Sequence, residues 1–181
     1  MHGRLETQLR AALAGASRIA VLGAGSELRG DDGAGPLLVQ ELRKRTSKRC
    51  SGTIQTFDGG TAPENLTGAI RDFCPSHLII IDTSELGRLP GTVAVIPPES
   101  IRTTAFSTHI LPLSILVNYL ERSIACKVIV IGIQPKSLQL QAPLSPEVHS
   151  AITELVTFIE RIAGEHLGCT SAGCSATRSR R

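Results

Sequence analysis

The 181-residue chain has no tryptophan, one tyrosine and four phenylalanines, so aromatics make up only 3% of a sequence that is 41% hydrophobic. A core of that composition must be built from Ile, Val, Leu and Ala, the palette of a sheet covered by helices on both faces. No apolar run approaches the ~20 residues that span a bilayer, and the N-terminus lacks the apolar stretch and cleavage signal of a secreted precursor. A cytoplasmic protein without a membrane partner is therefore expected. The net charge of +3 is matched by Arg178, Arg180 and Arg181 alone. The remainder is near neutral, which argues against a nucleic-acid partner. Five cysteines, odd in number and irregular in spacing, make no disulfide framework. Cys50, Cys74 and Cys126 fall at element ends, where a small buried thiol is the expectation. Cys169 and Cys174 have no His or Cys partner at a zinc-site spacing.

Three signatures are also missing. There is no Gly-x-Ser-x-Gly nucleophile elbow and no His-Glu-x-x-His zinc motif. Gly23-Ala24-Gly25 opens like a dinucleotide fingerprint, but Leu28 stands where its last glycine belongs. Glu27 would moreover turn a negative charge toward a pyrophosphate.

The chain is long enough for one domain and too short for two. Strand patterns at 18–22, 52–57, 77–82, 91–96 and 127–133 alternate with helical ones at 4–13, 33–45, 63–73, 110–122 and 146–163. Thr61 is the expected cap of the third helix and Ser145 of the last, each with a proline and a glutamate just behind it. The unbroken Leu78-Ile79-Ile80-Ile81 run predicts the buried centre of a parallel sheet. The pattern predicts a three-layer α/β/α domain over 1–167, with a mostly parallel twisted sheet of about five strands. The fourth strand, following the third after a short turn, supplies one antiparallel pairing. The Ser-, Gly- and Arg-rich residues 168–181 have nothing to bury and are expected to be a disordered tail.

The informative feature is where the acids fall. Asp31 and Asp32 follow the first strand and its glycines, and Asp58 and Asp82 stand directly after apolar runs. In an open α/β sheet such positions share one edge, where clefts form. Taken singly, each aspartate is equally well explained as a helix cap or turn former. His109 follows the polar Phe106-Ser107-Thr108 segment and would return along the same edge. Two carboxylates and an imidazole suit a divalent transition ion, although a lone histidine at a helix start is often only a cap.

Gly30-Asp31-Asp32-Gly33-Ala34-Gly35-Pro36, Asp58-Gly59-Gly60-Thr61, Leu78-Ile79-Ile80-Ile81-Asp82 and Ser107-Thr108-His109 together resemble the hydrogenase maturation endopeptidases, over about residues 19–162. That family trims the C-terminus of the large-subunit precursor of nickel–iron hydrogenases. The resemblance implies an endopeptidase of the aspartic type, with nickel supplied by the precursor and recognised by Asp32, Asp82 and His109. Asp31 ranks second to Asp32 as the inward ligand. Asp58 corresponds to the acid of the family's Asp-Gly-Gly-Thr turn and is a candidate general base. A non-catalytic, nickel-dependent checking module on the same fold is the alternative.

Overall fold

A computed structural model describes residues 3–46, 52–97 and 113–167. His109, Cys50, Cys169, Cys174 and the expected tail lie outside these residues. The elements run α1 (Gly3–Ala12), β1 (Ile19–Ala24), a 3-10 turn (Gly30–Gly33), α2 (Ala34–Thr46), β2 (Ile54–Gly60), a second 3-10 turn (Pro63–Leu66), α3 (Thr67–Phe73), β3 (His77–Thr83), β4 (Val93–Ile96), α4 (Leu113–Ser123), β5 (Lys127–Ile133) and α5 (Pro146–Leu167).

The five strands form one sheet in the order β2-β1-β3-β5-β4. β1 is parallel to both β2 and β3, and β3 is parallel to β5. The expected antiparallel strand is β4, but it pairs with β5 and not with β3, its predecessor in the chain. The segment between β3 and β4 carries the chain past β5 before it turns back, so sequence adjacency does not become sheet adjacency.

Every residue of β1 and β3 is buried, as befits inner strands of a sheet covered on both faces. Edge strand β2 is buried only at Ile54 and Phe57, one on each face. Side-chain alternation divides the core into two layers. Val21, Ile79, Ile81 and Ile131 pack with Leu9, Leu38, Leu42, Leu155 and Ile159 of α1, α2 and α5. Leu22, Leu78, Ile80 and Val130 pack on the other face with Ile70 and Phe73 of α3 and Leu116 and Leu120 of α4. Truncating a fully buried isoleucine such as Ile80 to alanine would cost about 2–5 kcal/mol. Among the described residues no helix is long and apolar enough to cross a membrane.

Two local expectations need correction. The helix expected over 63–73 is broken into a 3-10 turn and α3, and its cap position is Ala62, not Thr61, with no side-chain bond. Cys74 is exposed rather than buried. It ends α3 in the left-handed conformation at φ 49°, with its N–H donated to Arg71 O, and Pro75 blocks continuation. Cys126 is half-buried, and burial, followed by the nearby Glu121, pushes its thiol pKa upward. Ser145 does cap α5, accepting the Val148 N–H at 3.4 Å.

Candidate functional site at the C-terminal edge of the sheet

The glycines after β1 bring backbone against backbone. A Cβ on Gly23 would collide with the Gly35 carbonyl, and one on Gly35 with the Ala24 backbone. Gly25, at φ +131°, lies against the Asp32 carbonyl. The N-terminus of α2 therefore sits directly over the end of β1, and the 3-10 turn bearing Asp31 and Asp32 is pressed onto the sheet edge. Only glycine allows this approach.

The two adjacent aspartates, both essentially inaccessible to solvent, diverge completely. Asp31 turns to the segment between β5 and α5. Its Oδ2 accepts Lys136 N at 2.7 Å, Ser137 N at 3.1 Å and Ser145 Oγ at 3.0 Å. Its Oδ1 accepts Ser145 N at 2.6 Å. Burial raises the carboxyl pKa, but these hydrogen bonds to the charged form outweigh it and hold the group below the usual carboxylate range. Four donors take up the lone-pair capacity of one carboxylate, so Asp31 is a clamp between two loops.

Asp32 turns the other way. Its Oδ2 accepts the Ser26 N–H at 2.9 Å, and its Oδ1 accepts the Thr83 hydroxyl at 3.0 Å. Thr83 also donates its backbone N–H to Asp82 Oδ1 at 2.8 Å. One residue at the end of β3 thus holds carboxylates from two separate segments. Asp82 is completely buried, and its position in β3 directs it to the face occupied by α4, since Ile79 and Ile81 face α2. The described bonds of both Asp31 and Asp32 go elsewhere than to the amides of α2, so helix capping does not account for them.

Asp58 reaches the same edge, with no described bond to Asp32 or Asp82. It lies within β2, not after it, in register with Gly23 of β1, which is in turn opposite Ile81 of β3. It therefore shares the α2 face with Ile81 and Thr83, and hence with Asp32, which the Thr83 hydroxyl holds, whereas Asp82 emerges on the opposite face. Asp58 is exposed and accepts Gln40 Nε2 at 3.3 Å, and the same amide donates to Glu27 at 2.7 Å. His109 lies outside the described residues. Among those residues no group of three carboxylate, imidazole or thiolate side chains could hold a metal ion.

Thr83 and Ser26 escaped the sequence reading, as did the partners of Asp31. Thr83 carried one faint signal: a hydroxyl directly behind an acid at a strand end. The Asp31–Ser145 bond spans 114 residues and leaves no local trace. His77, at the start of β3, lies at the far end of the sheet. Burial, followed by the charge on Lys127, lowers its pKa.

Comparison with known proteins agrees with this architecture. The family model described as hydrogenase maturation protease matches residues 36–162. The hydrogenase 3 maturation protease of Escherichia coli K12 is 35% identical over 141 residues, covering 77% of this chain and 85% of that protein. The crystal structure of the NiFe hydrogenase maturation protease HycI from Thermococcus kodakarensis superposes with a TM-score of 0.79 at 27% identity, covering 87% of this chain and 99% of the other. The solution structure of the endopeptidase HycI from Escherichia coli gives a TM-score of 0.69 at 35% identity, with 80% and 90% coverage. With a buried carboxylate pair at the sheet edge, the matching three-layer fold and these relatives, the chain belongs to the hydrogenase maturation protease family.

Proposed function

We propose that this protein is a cytoplasmic endopeptidase that removes the C-terminal peptide from the large-subunit precursor of a nickel–iron hydrogenase. The observation that carries the reading is the pairing of Asp32 and Asp82 through Thr83, at the edge where a family member would meet its substrate. Nickel enters as part of that substrate. Carboxylate oxygens with one imidazole nitrogen make a donor set suited to a divalent first-row ion, and we assign Asp32, Asp82 and His109 as the ligands this chain offers to it. Asp31 is excluded from the set because its oxygens are already committed to the 136–145 segment.

Bond cleavage is assigned to carboxylate chemistry of the aspartic type. The chain has neither a serine elbow nor a His-Glu-x-x-His helix, so the serine and zinc-protease mechanisms do not fit it, and the edge offers carboxylates that could take a proton from water. Asp58, exposed at the rim beside β1, is the proposed general base. Ligation of the precursor's nickel would register the scissile segment against this edge, so that only a metal-loaded precursor is held for cleavage.

The test is intact-mass measurement of nickel-loaded and nickel-free precursor after incubation with the purified protein. The proposal expects shortening of the loaded form alone. Asp32→Asn, Asp82→Asn and His109→Ala should each abolish it while circular dichroism stays native. A wild-type protein that binds the loaded precursor and leaves its mass unchanged would instead be a non-catalytic checking module.

A further inference from the structure

β4 is the outermost strand of the sheet, beyond β5, and among the described residues no strand lies on its far side. Its sequence Val93-Ala94-Val95-Ile96 carries none of the charges that guard many edge strands. The ladder shows which backbone groups face outward. Gln134 N donates to Thr92 O at 2.9 Å, whereas the carbonyl of Ile133, the residue opposite Val93, is taken by Ser84 N at 3.0 Å. Antiparallel pairs alternate between bonded and non-bonded. Ala94 and Ile96 therefore bond to Gly132 and Val130, and Val93 and Val95 turn both N–H and C=O away from the sheet. Pro97, which has no N–H, ends the row.

A groove of about 1340 Å³ runs along this strand. Val93 and Val95 pack on the layer of α1, α2 and α5, and they line the groove together with Leu5 and Ala151. Beyond β4 the lining continues to Glu85 and Leu86, which follow Thr83 and Ser84 in the chain. The groove therefore opens onto the edge that carries Asp32 and Asp82. Outward N–H and C=O groups at every second residue call for a partner with the same spacing. An extended polypeptide has it, whereas a helix spends its backbone groups internally. The strand edge thus specifies the conformation of what binds, and the apolar wall specifies side chains of the same kind on every second residue of it.

Resting on the endopeptidase reading above, we propose that the substrate segment flanking the scissile bond binds in extended form as a sixth strand on β4, through main-chain hydrogen bonds to Val93 and Val95. Strand register sets how far that segment lies from the cut. Ala94 is level with Gly132, and Gly132 with Asp82. Three strand spacings separate Asp82 from the added strand, about 14 Å, which roughly four residues of extended chain cover. The paired residues therefore lie about four positions from the bond that is cut. Main-chain pairing of this kind does not depend on nickel.

The experiment titrates a synthetic peptide spanning the precursor's cleavage site, without nickel, into the full-length wild-type protein and reads single-residue amide exchange by NMR. In the free protein the Val93 and Val95 amides should exchange fast and those of Ala94 and Ile96 slowly. Saturating peptide should slow Val93 and Val95 by roughly tenfold or more and leave Ala94 and Ile96 unchanged. Two further peptides carry N-methyl groups on alternate residues, in the two possible registers. One should bind roughly tenfold more weakly or worse, and the other should match the unmodified peptide, because only every second amide faces β4. No added protection at Val93 and Val95 would overturn the proposal, as would equal effects of the two methylation registers. Val93 and Val95 amides already slow in the free protein would mean that the edge is paired within the chain or with a second copy, and would equally overturn it. None of these readouts needs turnover. If the precursor's mass stays unchanged on incubation, the endopeptidase reading fails and strand addition is judged on exchange and affinity alone.

Discussion

Asp31→Asn is the most direct test of the loop clamp, because the substitution preserves shape and removes only charge and one acceptor. Asparagine offers a single oxygen. If that oxygen takes the Oδ2 position, it keeps Lys136 N, Ser137 N and Ser145 Oγ, but its NH2 then faces the Ser145 N–H that now lies 2.6 Å from Oδ1. If the amide flips, the NH2 faces two backbone N–H groups instead. At least one buried donor loses its acceptor, a cost of about 1–3 kcal/mol, and the retained bonds lose their charge assistance. Together these amount to roughly 3–5 kcal/mol, on the order of 10 °C in Tm for a domain of this size. The pH dependence gives a second check. The folded-state pKa of Asp31 lies below its ordinary value, so its contribution is complete above the unfolded pKa of ~3.9 and is lost as pH falls through the folded value. Differential scanning calorimetry of both proteins from pH 7 downward should show a large gap at neutrality that closes in strong acid. A variant within 2–3 °C (an order-of-magnitude threshold) of wild type at pH 7 would refute the clamp, and so would a gap that persists undiminished below the folded pKa.

Thr83→Val removes the hydroxyl that Asp32 accepts and should slow precursor cleavage at least tenfold, by an estimate of ~1.4 kcal/mol or more for the lost bond; Thr83→Ser should restore it in the same intact-mass assay. Gly35→Ala forces a Cβ into the Ala24 backbone and should cost roughly 3 kcal/mol or more in urea unfolding, whereas Gly68→Ala, with open space around it, should be neutral or slightly stabilising. His77, whose folded pKa is depressed by burial and then by Lys127, stays neutral while its unfolded counterpart protonates. Wild type should therefore lose stability as pH falls from ~6.5 toward the folded value, and a His77→Gln variant should show a flatter Tm between about pH 7 and 5.

Local physics made much of this protein legible in its sequence. The boundaries of β5, the Ser145 cap and the buried run of β3 follow from residue periodicity and capping chemistry, which act over a few residues. The glycine-rich turn after β1 and the acids near strand ends likewise placed Asp32, Asp58 and Asp82 along one edge of the sheet. The tertiary structure decided matters that depend on distant partners. Asp31 and Asp32 are neighbours of the same chemistry, and nothing local says which of them turns to the 136–145 segment and which to the end of β3. The distinction comes from Lys136, Ser137 and Ser145 on one side and Thr83 on the other, at separations from 51 to 114 residues. Asp58 and Asp82 both come at the ends of apolar runs, yet strand register sends them to opposite faces of the sheet. β4 joins β5, not its sequence neighbour. Hydrogen-bond partnership and side-chain facing are set when the sheet closes, by contacts that short-range patterns cannot encode.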